Sequence, residues 1–257
     1  SIYYHNYIEM IGFEPEKVDE VFDKAVAVRD EFGSLPTSMV PHATYSVCKD
    51  LFRRLRQVCK DDDVLSIHNQ ESDEENKFYR YKTGDFVDFY QKMNIDIDFF
   101  KPQARDSIQS VMPLFPKKQR VTLVHNIYTG LKDISFVNRL GRSITWCLCP
   151  NANLYIENKL PKLELFLSSS ATISLGTDSL ASNDKLCILS ELKTIQKHFP
   201  TVSLSTSIAW ATLNGARHLG IDKRFGSIEV GKRPGLNLIT KTDGLELTQA
   251  SEVTKLI

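Results

Sequence analysis

The sequence has no excess of charge of either sign, because its 32 lysines and arginines equal its 32 aspartates and glutamates. A domain that binds nucleic acid or an anionic membrane usually has a basic surface, so this balance argues against both partners. No apolar stretch approaches the roughly 20 residues that a membrane-spanning helix needs. With 42% hydrophobic and 25% charged residues over 257 positions, the chain is an ordinary globular sequence, long enough for a large α/β core.

A disulfide framework and several catalytic motifs are also missing. The five cysteines are odd in number and scattered, which indicates free thiols in a reducing, cytoplasmic setting. Neither of two common glycine-rich phosphate loops occurs, nor does the Gly-x-Ser-x-Gly turn of many serine hydrolases. Cys147 and Cys149 alternate along one predicted strand and lack the Pro-Cys-x-x-Cys spacing of cytidine-type zinc deaminases.

Short apolar or β-branched runs alternate with amphipathic helical stretches along most of the chain. Six such runs predict strands, at residues 2–12, 38–42, 64–68, 121–125, 143–150 and 172–178. Helices between successive strands predict a parallel sheet with right-handed crossovers. Ser46 and Thr129 are predicted helix caps, 151–153 a polar loop, and 227–230 and 236–239 two short β runs. The fold class is therefore α/β with a small β addition at its end.

Polar residues follow three of the predicted strands at the point where each ends. His68 is the last residue of the run 64–68 and Glu71 comes three residues later, while His125 ends the run 121–125 and Asp178 ends 172–178. In parallel α/β proteins, the carboxyl ends of the strands face the loops that bind substrate and carry catalytic residues. Neutral imidazole is also a common ligand of zinc or iron. Structural alternatives remain open for each residue: a satisfied core histidine, a glutamate in the first turn of a helix, or an aspartate helix cap.

Five motifs, in order, resemble those of the amidohydrolase superfamily. They are Pro41-His42-Ala-Thr-Tyr45-Ser46, Ile67-His68-Asn-Gln-Glu71, Leu123-Val-His125, Cys149-Pro-Asn-Ala-Asn153 and Leu175-Gly-Thr-Asp178-Ser-x-Ala-Ser182-Asn183. The closer resemblance is to the deaminase and chlorohydrolase branch, which includes guanine deaminase, adenosine-type deaminase and triazine hydrolase. The stretch 68–78 also bears a faint resemblance to the aminofutalosine deaminase subgroup. The run Gly226-Ser-Ile-Glu-x-Gly231-Lys-x-Pro resembles the return of that branch into a small β-sandwich.

The resemblance implies a distorted TIM (β/α)8 barrel, of which this chain carries strands 3–8. Residues 1–222 would belong to the hydrolase barrel, and residues 223–257 would return to the β-sandwich. The family opens its barrel with a His-x-His pair that supplies two metal ligands, whereas no two of the six histidines here are two positions apart. We expect that the first strands and this pair precede the present chain; a homologue that binds no metal is the alternative.

The resemblance also implies roles for individual residues. The expected metal ligands are His68 and Asp178, and the expected catalytic residues are Glu71, His125 and Asp178. The expected substrate contacts are His42, Glu71 and His125, and the expected supporting residues are Asn153, Thr177, Ser179 and Asn183. The cofactor would be one divalent ion, zinc or iron, because 38–45 contains no lysine of the kind that bridges two metals in hydantoinase-like relatives.

The function implied is hydrolytic deamination of an aminated heterocycle, such as a purine base or a nucleoside-like compound, by a metal-activated water. Two alternatives stay open at this point. A chlorohydrolase or alkylamine hydrolase of the triazine type would use the same residues, and a metal-free barrel would act as a binding or scaffold protein. The expected partner is a small heterocyclic substrate, with no nucleic acid or membrane and with a homodimer as the expected assembly.

Overall fold

The computed structural model describes residues 2–257, which divide into two compact units with the boundary in the chain between Ile144 and Thr145. The first unit contains, in order, β1 (Asn6–Met10), α1 (Val18–Glu31), β2 (Thr37–Pro41), α2 (Lys49–Val58), β3 (Val64–Asn69), α3 (Asp73–Tyr81), α4 (Asp85–Lys92), α5 (Ser107–Val111), β4 (Arg120–His125) and α6 (Leu131–Arg139). Short 3-10 turns lie at Pro15–Lys17, Thr44–Ser46 and Met112–Leu114.

Strands of the first unit pair in parallel, as the alternation of strands and helices predicted. β1 pairs with β2, and β3 pairs with β4 in a register that sets Asn69 opposite His125. β2 reaches β3 through a parallel bridge between Ala43 and His68, next to a hydrogen bond from His68 N to His42 O of 2.9 Å. The carboxyl ends of β2, β3 and β4 therefore present His42, His68 and His125 along one edge.

Helices cover this unit with the apolar faces that their sequence pattern predicts. On α2, Leu51, Phe52 and Leu55 are buried, as the spacing of an amphipathic helix requires. Phe52 meets Phe115 edge to face, with ring centroids 5.1 Å apart. Buried aromatic pairs of this kind contribute about 0.5–1.5 kcal/mol beyond the area they bury, so they help to order the long segment between α3 and β4.

The second unit carries the remaining elements. They are β5 (Ile144–Leu148), which begins at the last residue of the first unit, α7 (Pro150–Glu157), α8 (Leu163–Ser168), β6 (Ile173–Leu175), α9 (Ile188–His198), α10 (Leu204–Ala211), α11 (Leu213–Leu219), β7 (Asn237–Thr240) and β8 (Glu252–Lys255). β5 pairs with β6 in parallel, and β7 pairs with β8 antiparallel. A cluster of Leu189, Leu192 and Leu247 forms an apolar core between α9 and the segment that joins β7 to β8.

Two predicted helix caps are wrong because the hydroxyl groups form hydrogen bonds outside the helix that follows them. α2 is capped by Cys48 rather than Ser46, whose Oγ accepts from Ala43 N and lies 2.9 Å from His42 Nδ1. α6 is capped by Gly130 rather than Thr129, whose hydroxyl donates to the side chain of Gln70. Both residues stabilise the turns behind strand ends instead of starting a helix.

Two other local predictions are also wrong. Residues 151–153, predicted to be a loop, lie in the first turn of α7, which Pro150 begins with its preset backbone angle. The run 227–230 forms no strand, and Ile228 and Val230 are highly exposed, whereas the second predicted run appears as β7. Within residues 2–257, every helix is too short or too polar to cross a lipid bilayer.

Candidate active site

His68 is fixed at the end of β3 by a hydrogen bond that settles its tautomer. Its Nδ1 lies 2.7 Å from the carbonyl oxygen of His42, an atom that can only accept. Nδ1 must therefore carry the hydrogen, which leaves the lone pair on Nε2. A histidine that binds a metal almost always donates its second nitrogen in this way, so the residue fits a metal ligand on its own geometry.

Three imidazoles lie side by side at the ends of β2, β3 and β4. The ring of His68 lies 5.4 Å from that of His125 at an interplanar angle of 28°, and 4.9 Å from that of His42. Burial lowers the pKa of His42, and the neighbouring His68 lowers it further. A neutral His42 can accept or donate a hydrogen bond at neutral pH, with Nδ1 already in contact with Ser46 Oγ at 2.9 Å.

Glu71 and His125 meet although 54 positions separate them in the sequence. Glu71 Oε1 lies 3.4 Å from Nε2 of His125, which is buried, while the Glu71 side chain keeps 19% of its surface exposed. His125 and the following Asn126 both have left-handed backbones, with φ of +72° and +61°. Such conformations cost roughly 1–3 kcal/mol in residues other than glycine and cluster at functional sites.

Glu9 on β1 was not among the predicted site residues. Its Oε1 lies 4.0 Å from His68 Nδ1, and its negative charge raises the pKa of His42, against the larger effect of burial. The sequence contains a signal that could have identified it, since Glu9 is a lone carboxylate between Ile8 and Met10, which are both buried. The first unit thus brings Glu9, His42 and His68 together at one strand edge.

Asp178 lies in the second unit, where its own loop holds it. Its backbone is left-handed, with φ of +57°, and both carboxylate oxygens accept hydrogen bonds. Oδ1 accepts from Ser179 N at 2.7 Å, and Oδ2 accepts from Ser182 Oγ at 2.6 Å. The hydroxyl of Thr177 donates to the Asp178 carbonyl oxygen at 3.0 Å, so it contacts the main chain and not the carboxylate. Ser182 was not predicted as a site residue.

A buried carboxylate anchors the loop that carries Asp178. Glu191 on α9 accepts from Asn183 Nδ2 at 2.8 Å and from Asn151 N at 2.9 Å. Asn183 Nδ2 also donates to Thr177 O at 2.8 Å, so this side chain ties the loop to α9. Burial raises the pKa of Glu191. Asn153 is buried in the first turn of α7, and its main-chain nitrogen donates to Cys149 O at 2.9 Å.

Comparisons with known proteins identify deaminases among the relatives of this chain. An adenosine deaminase of Helicobacter pylori is 28% identical over 239 residues, which cover 90% of this chain and 57% of that protein. The crystal structure of Helicobacter pylori aminofutalosine deaminase in complex with methylthio-coformycin is similar at 26% identity and a TM-score of 0.79, covering 94% of this chain and 59% of the other. An adenosine deaminase from Xanthomonas campestris with bound zinc shares the fold at 24% identity and a TM-score of 0.66, over 91% of this chain and 51% of that one.

The chain spans a little more than half the length of these relatives. Its solved neighbours have the TIM-barrel fold, which confirms the predicted α/β fold class, and they fall in the predicted deaminase branch. Residues 13–256 match the profile of the amidohydrolase family, so nearly the whole sequence takes part in the likeness. The chain belongs to the amidohydrolase family.

Proposed function

We propose that this chain is the catalytic part of a metal-dependent deaminase that acts on a nucleoside-like aminated purine. The observation that carries the proposal is the contact between Glu71 Oε1 and His125 Nε2 at 3.4 Å, beside His68 with its Nε2 lone pair available. The proteins named above as adenosine and aminofutalosine deaminases support the substrate class. An oxidoreductase or a nucleic-acid-binding role receives no such support from the residues at these strand ends.

We propose His68 and Asp178 as ligands of one divalent ion, completed by two histidines outside this chain. Imidazole nitrogen and carboxylate oxygen are donors that zinc accepts, and the zinc bound by the Xanthomonas campestris protein supports that metal over iron. A metal bound there would lower the pKa of a water molecule to about 7, which would make a nucleophile available at neutral pH. Asp178 keeps lone pairs for such a role, because each carboxylate oxygen has accepted only one of the bonds described above.

Glu71 is the proposed proton shuttle. Its carboxylate takes a proton from the attacking water, gives it to a ring nitrogen of the purine, and passes a second proton to the leaving amine. The bond from the amino-bearing carbon to oxygen forms and the bond to nitrogen breaks, so water and the amine become a carbonyl product and ammonia. The partly exposed side chain of Glu71 supports this role, since a shuttle must reach both solvent-derived water and substrate.

His125 is proposed to hold the attacking oxygen through Nε2. Asp178 is proposed to accept the second proton of the water, which then returns to Glu71 and is the proton that Glu71 gives to the leaving amine. His42 is proposed to contact the substrate from the end of β2, which its lowered pKa supports because a neutral ring can hydrogen-bond a purine. Thr177, Ser179, Asn153 and Asn183 remain proposed supporting residues for the loops around Asp178.

The wider organisation is also a proposal. Residues 1–222 would belong to the hydrolase barrel and 223–257 to a small β-sandwich, for which the antiparallel pair of β7 and β8 offers support. Within residues 2–257 the five cysteines form no disulfide bond, which supports a reducing, cytoplasmic setting. A homodimer is proposed from the family resemblance alone and is tested by the molar mass in solution.

The experiment that tests the function is a screen of ammonia release by the metal-loaded, full-length protein. Adenosine, 5'-deoxyadenosine and 5'-methylthioadenosine are compared with guanine, a pterin and a triazine that carries chloro and alkylamino groups. Release of chloride and alkylamine and the bound metal are quantified in parallel. We expect one equivalent of metal and kcat/KM of about 10⁴ M⁻¹ s⁻¹ or more for one of the nucleosides. Release of chloride or alkylamine from a triazine, with no nucleoside turnover, would favour the hydrolase alternative; no bound metal and no turnover would favour the scaffold.

A further inference from the structure

Gln70, the residue before the proposed proton shuttle, has an unusual and completely buried backbone. Its φ is +47°, and none of its surface is exposed. The main-chain nitrogen donates to Glu75 Oε1 at 2.9 Å, and the main-chain oxygen accepts from Tyr128 N at 3.0 Å. Both backbone polar groups of Gln70 are therefore held by elements other than its own strand.

The side chain of Gln70 is held just as fully. Its Oε1 accepts from Thr129 Oγ1 at 2.6 Å, and its Nε2 donates to Asn76 Oδ1 at 3.2 Å and to Asp133 Oδ2 at 3.3 Å. All three partners are at most 2% exposed. A glutamine amide has two donor hydrogens and one acceptor oxygen, so this environment uses every kind of hydrogen bond that the side chain can make.

The length of the side chain, and not the backbone conformation, explains why residue 70 is a glutamine. Left-handed positions outside glycine favour asparagine and aspartate, whose short side chains tolerate that conformation. Glutamine offers no such advantage. Its extra methylene instead lets the amide reach Thr129 and Asp133, both of which follow β4. One side chain thus links the turn that carries Glu71 to the turn that follows His125.

We propose that Gln70 is a positioning residue, which locks the turn after β3 to the turn after β4 and so holds Glu71 Oε1 against His125 Nε2. This inference rests on the proposed function, because Gln70 affects catalysis only by positioning Glu71, the proposed proton shuttle. Misplacing a reacting group by about 1 Å can cost on the order of 100-fold in rate. A hydrogen-bond network this fully satisfied keeps the strained backbone of Gln70 in place.

The test uses the metal-loaded, full-length enzyme with adenosine as the substrate. Q70N keeps a residue that tolerates the left-handed backbone but withdraws the amide from its partners, and T129V removes the donor to Gln70 Oε1. We expect each to lower kcat by roughly 10-fold or more with KM changed less than about 3-fold. T129S restores the hydroxyl and should recover kcat to within about 3-fold of the wild type. T212V deletes another hydroxyl hydrogen bond, from Thr212 Oγ1 to Ile208 O, and should leave kcat unchanged.

A double-mutant cycle separates positioning from general damage. If Thr129 acts through Glu71, T129V should lower kcat in the wild-type background and have no further effect in an E71Q background. Amide hydrogen exchange of 69–72 should accelerate in Q70N and T129V while T212V stays at the wild-type rate, which gives a readout independent of turnover. Equal losses of kcat in both backgrounds, or an unchanged kcat in Q70N, would overturn the inference. If E71Q itself keeps the wild-type kcat, the proposed role of Glu71 is wrong; if E71Q is impaired and Q70N is not, only the positioning inference is wrong.

Discussion

The Asn183 side-chain nitrogen lies 2.8 Å from the Glu191 carboxylate, which is buried on α9. The same nitrogen donates to Thr177 O, so a single amide joins α9 to the backbone immediately before Asp178. Residues that orient a metal ligand typically change metal affinity by about 10–100-fold when they are removed. Asp178 itself has a left-handed backbone, with φ of +57°.

We therefore predict that N183A weakens metal binding by roughly 10-fold or more, because it releases the loop that orients Asp178. Competition with a chelator measures the affinity of the full-length protein for zinc. N138A, at an exposed position on α6, is the matched control and should bind zinc like the wild type. An unchanged affinity in N183A would show that the carboxylate is held by Ser179 and Ser182 alone.

Substitutions at Glu71 and His68 should separate catalysis from metal binding. E71Q is expected to retain its metal and to lower kcat by roughly 10²–10⁴-fold, the usual contribution of general acid–base catalysis. H68A is expected to lose the metal and the activity together. Metal content by elemental analysis and ammonia release distinguish the two outcomes.

Substitutions at two exposed residues serve as controls for E71Q and H68A. E164Q on α8 and H198A at the end of α9 make the same chemical changes at surface positions and should leave both readouts unchanged. Metal loss in E71Q would instead identify Glu71 as a ligand, and full metal content in H68A would remove His68 from the ligand set.

Glu75 should make the stability of the protein depend on pH. Burial raises its pKa to about 7 from the ordinary value of 4.5, so the folded state takes up a proton more readily than the unfolded state. The contribution of Glu75 to the free energy of unfolding is therefore fully present below about pH 4.5 and is lost as the pH rises through about 7. At about 1.4 kcal/mol per pKa unit, the change is on the order of 3 kcal/mol.

E75Q should flatten this dependence. The glutamine oxygen can still accept from Gln70 N, and its amide carries no charge at any pH in the range. We expect E75Q to match the wild type near pH 5 and to be more stable than the wild type near pH 8.5, as measured by urea unfolding at both pH values. Parallel pH profiles for the two proteins would mean that Glu75 does not titrate in this range.

Gly176 should be intolerant of a side chain because two thiols face it. A Cβ atom added there would lie 3.0 Å from Cys147 Sγ and 3.2 Å from Cys149 Sγ. Overpacking of a close-packed interior typically costs about 1–3 kcal/mol, so G176A should lower the unfolding free energy by roughly that amount. The double variant C147A/G176A should recover part of the loss, since the smaller alanine opens the space. Thermal unfolding of the single and double variants checks this, and strictly additive losses would contradict it.

The order of strands and helices was readable from the sequence because it depends on local pattern. All six predicted parallel strands occur with helices between them, and Gly220 ends α11 with φ of +72°. These features need only hydrophobic periodicity and the backbone freedom of particular residues, which are properties of a few neighbouring positions.

The errors have the same physical origin as the residues that were missed. Ser46 and Thr129 were predicted as caps because a hydroxyl before a helix usually bonds to that helix, yet both hydroxyls bond elsewhere. Gln70 and Glu191 have no recognisable local signal, since each acts through a partner on another element.

The sequence alone therefore determined the elements, the family and the chemical types at the strand ends. Only the tertiary structure decided that Glu71 meets His125, that His68 donates through Nδ1, and that Gln70 joins the turns behind them. Those contacts join residues 26 to 59 positions apart, and the packing of parallel strands, rather than any local preference, sets which of them meet.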